Sequence, residues 1–407
     1  MKIDKLLEKV ILSIRIPEED FATIKKEAKE TVSALKKKGL RAEIGGSLAK
    51  STLIRKKNQD IDIFVRLDKK EMSLFEKKLL KTTLKFEVVH GSRDYFRIKK
   101  NNLCIEIIPL LKFKRTEEAE NVTDFSLLHV KYILSKLAKN RELSNEIMLA
   151  KSFCYACNCY GAESYIGGFS GYALEVLVCH YKGFINFLKK IRKDRVIDPA
   201  RKFKNEKEIY RELNQSKLQS PVILIDPTHK YRNVCAGLTK ESFGRFLEHV
   251  KKFLNSPSEN FFIKKEFNAK EFFERAKMKH LAGYLFEIKT NKQEGDIAGA
   301  KMKKFFNHLV SELSRKEQEV VSSEFVFDEA REARAYLALK PKEFIEIIGP
   351  KKIMDNAVKK FKKVRKKIYL SKGFVCAKEK VILKEIFKKQ VFVAEEMGVG
   401  FDWKKIS

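Results

Sequence analysis

Two aspartates one residue apart, inside a stretch that is otherwise apolar, constrain this chain more than any other feature. In QDIDIFV, Gln59 to Val65, successive side chains of an extended strand point to opposite faces. Asp60 and Asp62 therefore project together, while Ile61 and Ile63 go the other way into a core. Two like charges at that spacing repel, and a strand gains nothing from them unless a cation lies between. Hard oxygen ligands with room for water and phosphate suit Mg²⁺, which prefers one or two carboxylates plus phosphate oxygens to a closed protein cage. The preceding turn, GGSLAK, becomes intelligible on the same terms. Gly45 and Gly46 permit close backbone approach, the Ser47 hydroxyl and nearby backbone N–H groups can hold a triphosphate, and Lys50 adds positive charge. A third carboxylate is expected from a neighbouring strand. Glu106 is the only acid in LCIEIIPLL. Taken singly, an acidic strand or a GGS turn is commonplace; joined at this spacing they are far more specific.

A chain of 407 residues is too long for one ordinary core and predicts two or three domains. Phe21, Ile24, Ala28, Val32 and Leu35 step by three or four, which predicts a helix from Pro17 to Lys38. Strands are expected at Arg41 to Ile44, Ile61 to Leu67, Leu84 to His90, Tyr95 to Lys99 and Leu103 to Leu110, with a helix near Lys70 to Lys81. This strand-rich unit ends near Phe125. From there to about Asn255 the pattern is helical, except that DPARKFKNEKEIYRELNQSK reads as a loop or mobile insertion. The remainder alternates strand and helix, and two helices on one sheet, a ferredoxin-like arrangement, is expected there. The fold class is thus α+β and multidomain, with divisions at 1–125, 126–255 and 256–407.

Lys and Arg number 86 against 54 Asp and Glu, a formal charge of +32 that exceeds the needs of solubility and points to a polyanionic partner. The first residues do not resemble a signal peptide and no run suits a bilayer span, so a cytoplasmic protein with no membrane partner is expected. Seven scattered cysteines argue against a disulfide framework. Zinc at Cys154, Cys157 and Cys159 is a minor alternative to reduced packing cysteines.

The stretch GGSLAKSTLIRKKNQDIDIFV resembles the nucleotidyltransferase superfamily, whose signature is a Gly-Ser turn followed by an acidic strand. Together with YGAESYIGGFSGYALEVLVCHY and DPTHKYRNVCAGL, it is similar to the archaeal, class I CCA-adding enzymes. That resemblance implies a nucleotidyltransferase head with a mixed sheet, and addition of CCA to the 3′ end of tRNA from CTP and ATP without a nucleic-acid template. It implies that Asp60, Asp62 and Glu106 bind metal and that Glu106 activates the tRNA hydroxyl, although many relatives carry aspartate there. Gly46, Ser47 and Lys50 match the turn that grips the triphosphate. His129, Lys151 and Tyr160 match contacts to the phosphates or sugar of the incoming nucleotide, and Arg232, after Asp226, matches the arginine that helps read the base. One departure is Gly167, where relatives tend to have a basic residue. Read without the family, His129 is a candidate core histidine, Tyr160 a packing residue, and Arg232 a simple partner of Asp226.

Between Lys351 and Lys372 stand ten basic residues and one acid. The stripe Ile353, Ala357, Phe361, Val364 and Ile368 predicts a docked helix whose outer face, with Lys359, Lys360, Lys363, Arg365 and Lys366, meets RNA backbone. A monomer or homodimer is expected. The rival readings are a related polymerase forming poly(A) or oligoadenylate, and a non-catalytic RNA-binding relative of the same fold.

Overall fold

The structure is a computed structural model that describes residues 3–91, 93–328 and 330–406. The chain divides into two compact units, Met1–Lys265 and Glu266–Ser407.

In the first unit, helix α1 (Ile3–Ile14) is followed by α2 (Glu18–Lys36), and only α2 packs on the sheet that comes next. That sheet has the order β1-β2-β5-β4-β3, from β1 (Arg41–Ile44), β2 (Gln59–Leu67), β3 (Glu87–Val89), β4 (Tyr95–Lys100) and β5 (Leu103–Leu111). It is mixed because β2 and β5 run parallel while the other pairs are antiparallel. Ile61, Ile63, Val65, Ile105 and Ile107 are buried against Ile24, Ala28 and Leu35 of α2. Each such side chain contributes about 1.5–3 kcal/mol relative to exposure. The strand is thereby fixed with its apolar residues inward, and register then forces Asp60 and Asp62 onto the opposite face. A short helix α3 (Gly46–Ala49) joins β1 towards β2. The helix expected near Lys70 to Lys81 is two pieces, α4 (Lys69–Met72) and α5 (Phe75–Leu79). Leu74 leaves helical geometry between them at φ −103°, ψ 0°.

A helical core follows, made by α6 (Ser126–Leu137), α7 (Leu143–Ala156), α8 (Gly171–Tyr181) and α9 (Phe184–Lys190). Helix α1 packs into it through Leu6, Val10 and Ile14. So do Phe246 and Phe253, which lie on the later helix over 240–255, and Phe262 beyond it. The polar stretch expected to be a loose insertion is built instead. Just after β6 (Val196–Ile197) it carries α10 (Glu206–Glu212), and Phe203, Ile209 and Leu213 form a small core with Leu218, Ile223 and Ile225. Strands β7 (Ile223–Asp226) and β8 (His229–Asn233) complete that sheet, and α11 (Lys240–Asn255) follows. The few apolar residues, spaced among lysines, were too sparse to read as a core.

The second unit opens with α12 (Ala269–Met278). Its four-stranded antiparallel sheet has the order β10-β11-β9-β15, from β9 (Ala282–Lys289), β10 (Glu319–Phe327), β11 (Glu332–Lys340) and β15 (Gly400–Lys405). Helices α13 (Gly295–Arg315) and α15 (Leu383–Glu396) cover it through Phe305, Phe306 and Phe387. Between β11 and α15 the chain inserts a second sheet, β12-β14-β13, with β12 (Phe344–Lys351), α14 (Asp355–Val364), β13 (Ile368–Ser371) and β14 (Phe374–Lys380). The basic helix expected over 351–368 is therefore shorter. The backbone turns extended at Arg365, and Ile368 opens a strand. Its apolar stripe is not fully docked either: Ala357 and Phe361 are half-buried, whereas Ile353 is 85% and Val364 71% exposed.

Candidate active site

The site begins where the glycine turn meets β2. Gly45 N–H donates to Asp62 O at 2.8 Å, pinning the turn to the strand. Gly46 has φ +54°, and a Cβ placed there would lie 1.6 Å from Asp62 Oδ2. The carboxylate thus occupies the space that any side chain at position 46 would need, and only glycine serves both the backbone angle and the approach. Asp62 in turn stands directly beside Glu106 in the parallel register of β2 and β5. The turn, the aspartate and the glutamate are consequently neighbours by backbone construction.

Their electrostatics reflect that crowding. Burial raises the pKa of Asp62, with Asp60 adding to the rise and Lys50 and Lys151 opposing it. Burial and the Asp62 charge push Glu106 up to about 7 against the pull of Arg97. Asp60 faces Lys56 at 3.3 Å, and Glu106 accepts from Arg97 at 3.2 Å. Among the described residues, no group of three His, Cys, Asp or Glu side chains is placed to hold a metal ion by itself. Of the three carboxylates expected to bind metal, Asp62 and Glu106 stand side by side in the register of β2 and β5, and Asp60 lies two residues before Asp62 on the same strand. What the donor set fits is a site with one or two protein carboxylates, completed by phosphate oxygens and water, as Mg²⁺ prefers.

Beneath the turn lies a buried charged cluster. Glu175 on α8, 1% exposed, takes Lys50 Nζ at 2.6 Å on Oε2. On Oε1 it takes Lys151 Nζ at 2.8 Å and the Thr52 hydroxyl at 3.1 Å. Burial opposes the ionisation of Glu175, yet Lys151 and Lys50 outweigh it and hold its pKa at about 2. Burial likewise drives Lys151 down to about 8 in spite of Glu175. Lys151 also donates to Thr52 Oγ1 at 2.9 Å and to Thr52 O at 3.3 Å. An ammonium has three N–H donors. Glu175 Oε1, Thr52 Oγ1 and Thr52 O together take all three. Tyr160 lies alongside: a Cβ at Gly171 would be 3.1 Å from its hydroxyl and 3.8 Å from Lys151 Cε. Burial raises the Tyr160 pKa, as do Glu175 and Asp60, so it stays a neutral hydrogen-bonding group.

A second carboxylate, Asp226 at the end of β7, gathers the remaining expected residues. Its Oδ2 meets His129 Nε2 at 3.0 Å and Arg232 at 2.7 Å. Its Oδ1 accepts from Tyr172 Oη at 3.1 Å and from the Thr228 N–H and hydroxyl at 2.8 Å each. Burial would raise Asp226, but His129, Arg232 and Thr228 hold it well below the usual carboxylate range. His129 is buried, which lowers its pKa despite Asp226, and it stacks on Tyr172 with ring centroids 4.0 Å apart. Arg232 does pair with Asp226, while its side chain keeps 20% exposure.

Three residues of the site escape a reading by sequence. Thr52 looks like loop filler until its hydroxyl is seen between Lys151 and Glu175. Arg97 becomes visible only through register, since it stands opposite Glu106 across β4 and β5. Tyr172, readable as part of a buried stripe, spends its hydroxyl on Asp226. Gly167 also gains a reason: at φ +58°, a Cβ would come within 2.5 Å of Thr239 Cγ2, so a basic side chain has no room there. The cysteines are free, and the Cys159 thiol donates to Ser242 O at 3.1 Å. In the second unit Lys359, Lys360, Lys363 and Lys366 are exposed, whereas Arg365 pairs with Glu379 at 3.0 Å. None of the helices among the described residues is long and apolar enough to cross a membrane.

This arrangement defines a class. A Cid1 poly(U) polymerase structure with Mg 3′-dATP bound matches with a TM-score of 0.52 at 13% identity, covering 65% of this chain and 99% of that one, so the matched part shares that polymerase's fold. The family model for the tRNA nucleotidyltransferase second domain matches residues 145–263. The CCA-adding enzyme of Nanoarchaeum equitans is 37% identical over 293 residues, 70% of either chain. That of Thermococcus kodakarensis is 30% identical over 315 residues, 71% of this chain and 67% of that one. The chain belongs to the archaeal CCA-adding enzymes, which are tRNA nucleotidyltransferases.

Proposed function

We propose that the chain builds CCA on tRNA from CTP and ATP at the junction of the Gly46 turn with β2, releasing pyrophosphate at each step. The observation that carries this reading is the Asp62 carboxylate seated against the Gly46 backbone with Glu106 in register beside it. Asp60 and Asp62 would hold Mg²⁺ together with phosphate oxygens. When bound, the ion supplies charge neutralisation and Lewis acidity at the transferring phosphorus. The turn residues Gly46 and Ser47 and the Lys50 ammonium hold the triphosphate over the two aspartates and favour charge on the leaving pyrophosphate. Glu106, poised near neutrality, accepts the proton of the tRNA 3′-hydroxyl at its carboxylate. Its partner Arg97 keeps that carboxylate from swinging away. Arg232, oriented by Asp226, offers paired donors to the acceptors of a base edge, and Tyr160 and His129 bound the sugar side.

The first unit is read as a head to about residue 125 and a helical nucleotide-binding region to about 255, with the remaining residues holding tRNA. The order β10-β11-β9-β15 with two covering helices supports a ferredoxin-like reading of that last part, and the exposed lysines of α14 support backbone contact with RNA. We place the enzyme in the cytoplasm as a monomer or homodimer. The test is incubation of a tRNA ending at its discriminator base with CTP, with ATP, and with both. Two added C residues with CTP and a completed CCA with both are expected. A long homopolymeric tail would replace this reading with that of a related polymerase.

A further inference from the structure

We infer that Glu175 is a positioning residue of the transfer reaction, fixing the Lys50 and Lys151 side chains beneath the triphosphate turn and tying that turn to the helical region. The inference rests on the reading of the turn as the triphosphate site. Lys50 and Thr52 follow α3 in the head, whereas Lys151 and Glu175 come from α7 and α8, and all four meet in one buried cluster. The chain of bonds continues to the turn itself, since Thr52 N–H donates to Ser47 O at 3.0 Å. Moving Glu175 therefore moves the loop that sets the Ser47 backbone.

Charge gives the second part. A buried carboxylate is expensive unless paired, and a purely space-filling acid serving one partner is replaceable by an apolar residue of similar volume. Glu175 instead serves two ammoniums, and two cations against one anion leave a single positive charge under the turn. The three Lys151 donors all face Glu175 and Thr52, so the direction of its ammonium is set by this cluster. Without the carboxylate, the two buried ammoniums would repel, and Lys50 would lose the acceptor that sets its direction.

The experiment compares wild type, Glu175→Gln and Thr52→Val by calorimetric CTP binding, tRNA binding and steady-state incorporation. For Glu175→Gln, CTP affinity should weaken about tenfold, the loss of roughly one charge-assisted hydrogen bond, and the nucleotide KM should rise with it. Affinity for tRNA should stay within about twofold, since the cluster is buried in the first unit. Thr52→Val keeps the volume and loosens Lys151, so CTP affinity should fall about threefold even if Glu175→Gln fails to fold. A merely structural role would lower the melting temperature of either variant with CTP affinity and KM unchanged, and that result overturns the inference. Failure of the wild-type chain to bind CTP or extend tRNA would instead overturn the reading of the turn and take the inference with it.

Discussion

Two buried carboxylates of the first unit, Glu175 and Asp226, make nearly opposite uses of the same chemistry. Glu175 and Asp226 each gather two potential cations and at least one hydroxyl. Around Glu175 the cluster is closed, with Lys50 at 7% and Lys151 at 2% side-chain exposure. Around Asp226 it is open on one side, because Arg232 retains 20%. A closed cluster keeps its side chains directed by one another and bears on a ligand through its charge and the backbone it fixes; an open one presents a donor to solvent. The difference teaches that a match of residue types to a family does not by itself say which residues touch the substrate. Lys151 and Arg232 are equally legible as candidates, yet only Arg232 reaches the surface of the site.

That contrast can be broken directly. Glu175→Leu leaves two buried ammoniums without a counter-charge and should cost about 3–5 kcal/mol of stability, measured by urea unfolding. A loss below about 1 kcal/mol would mean the cluster is not closed. Arg232→Met should do the reverse, costing little stability but lowering kcat/KM for CTP and ATP by about tenfold to a hundredfold, the worth of a charged hydrogen bond. Equal loss of stability in both variants would erase the distinction between the clusters.

The pH dependence sharpens it. The Glu175 pKa falls from an ordinary 4.5 to about 2 on folding. Its contribution is therefore fully present above about 4.5 and is lost as pH falls through about 2, a loss on the order of 3 kcal/mol. Lys151, held at about 8, does not change protonation in that window. The unfolding free energy of Glu175→Gln should consequently fall less steeply than that of wild type between those pH values. The smallest effect is expected far from either cluster: Lys363→Gln on α14 should reduce the salt slope of tRNA binding by about one while leaving CTP affinity unchanged.

What the sequence disclosed follows from how local each signal is. The alternation in QDIDIFV names both the strand and the two acids that share its outer face, because a period of two depends only on neighbours. The burial of Ile61 and Ile63 and the pairing of Asp62 with Glu106 are consistent with that alternation. Thr52 and Arg97 were not legible because their roles depend on contacts with residues distant in sequence or on strand register. The small core around Phe203 and Ile209 was hidden for another reason, since its apolar residues are diluted by lysine and only the fold brings them together. On α14 the error ran the other way. A stripe at helical spacing suggested docking along its length, but the helix ends at Val364 and leaves Ile353 and Val364 in solvent.

The central claim is that nucleotidyl transfer occurs where the Asp62 carboxylate meets the Gly46 turn. Its most direct test is the Asp62→Ala variant, assayed with CTP and ATP on a tRNA lacking its CCA end beside a measurement of tRNA binding. The account predicts that incorporation is abolished while tRNA affinity is nearly intact. Incorporation at the wild-type rate by a folded Asp62→Ala chain would contradict it.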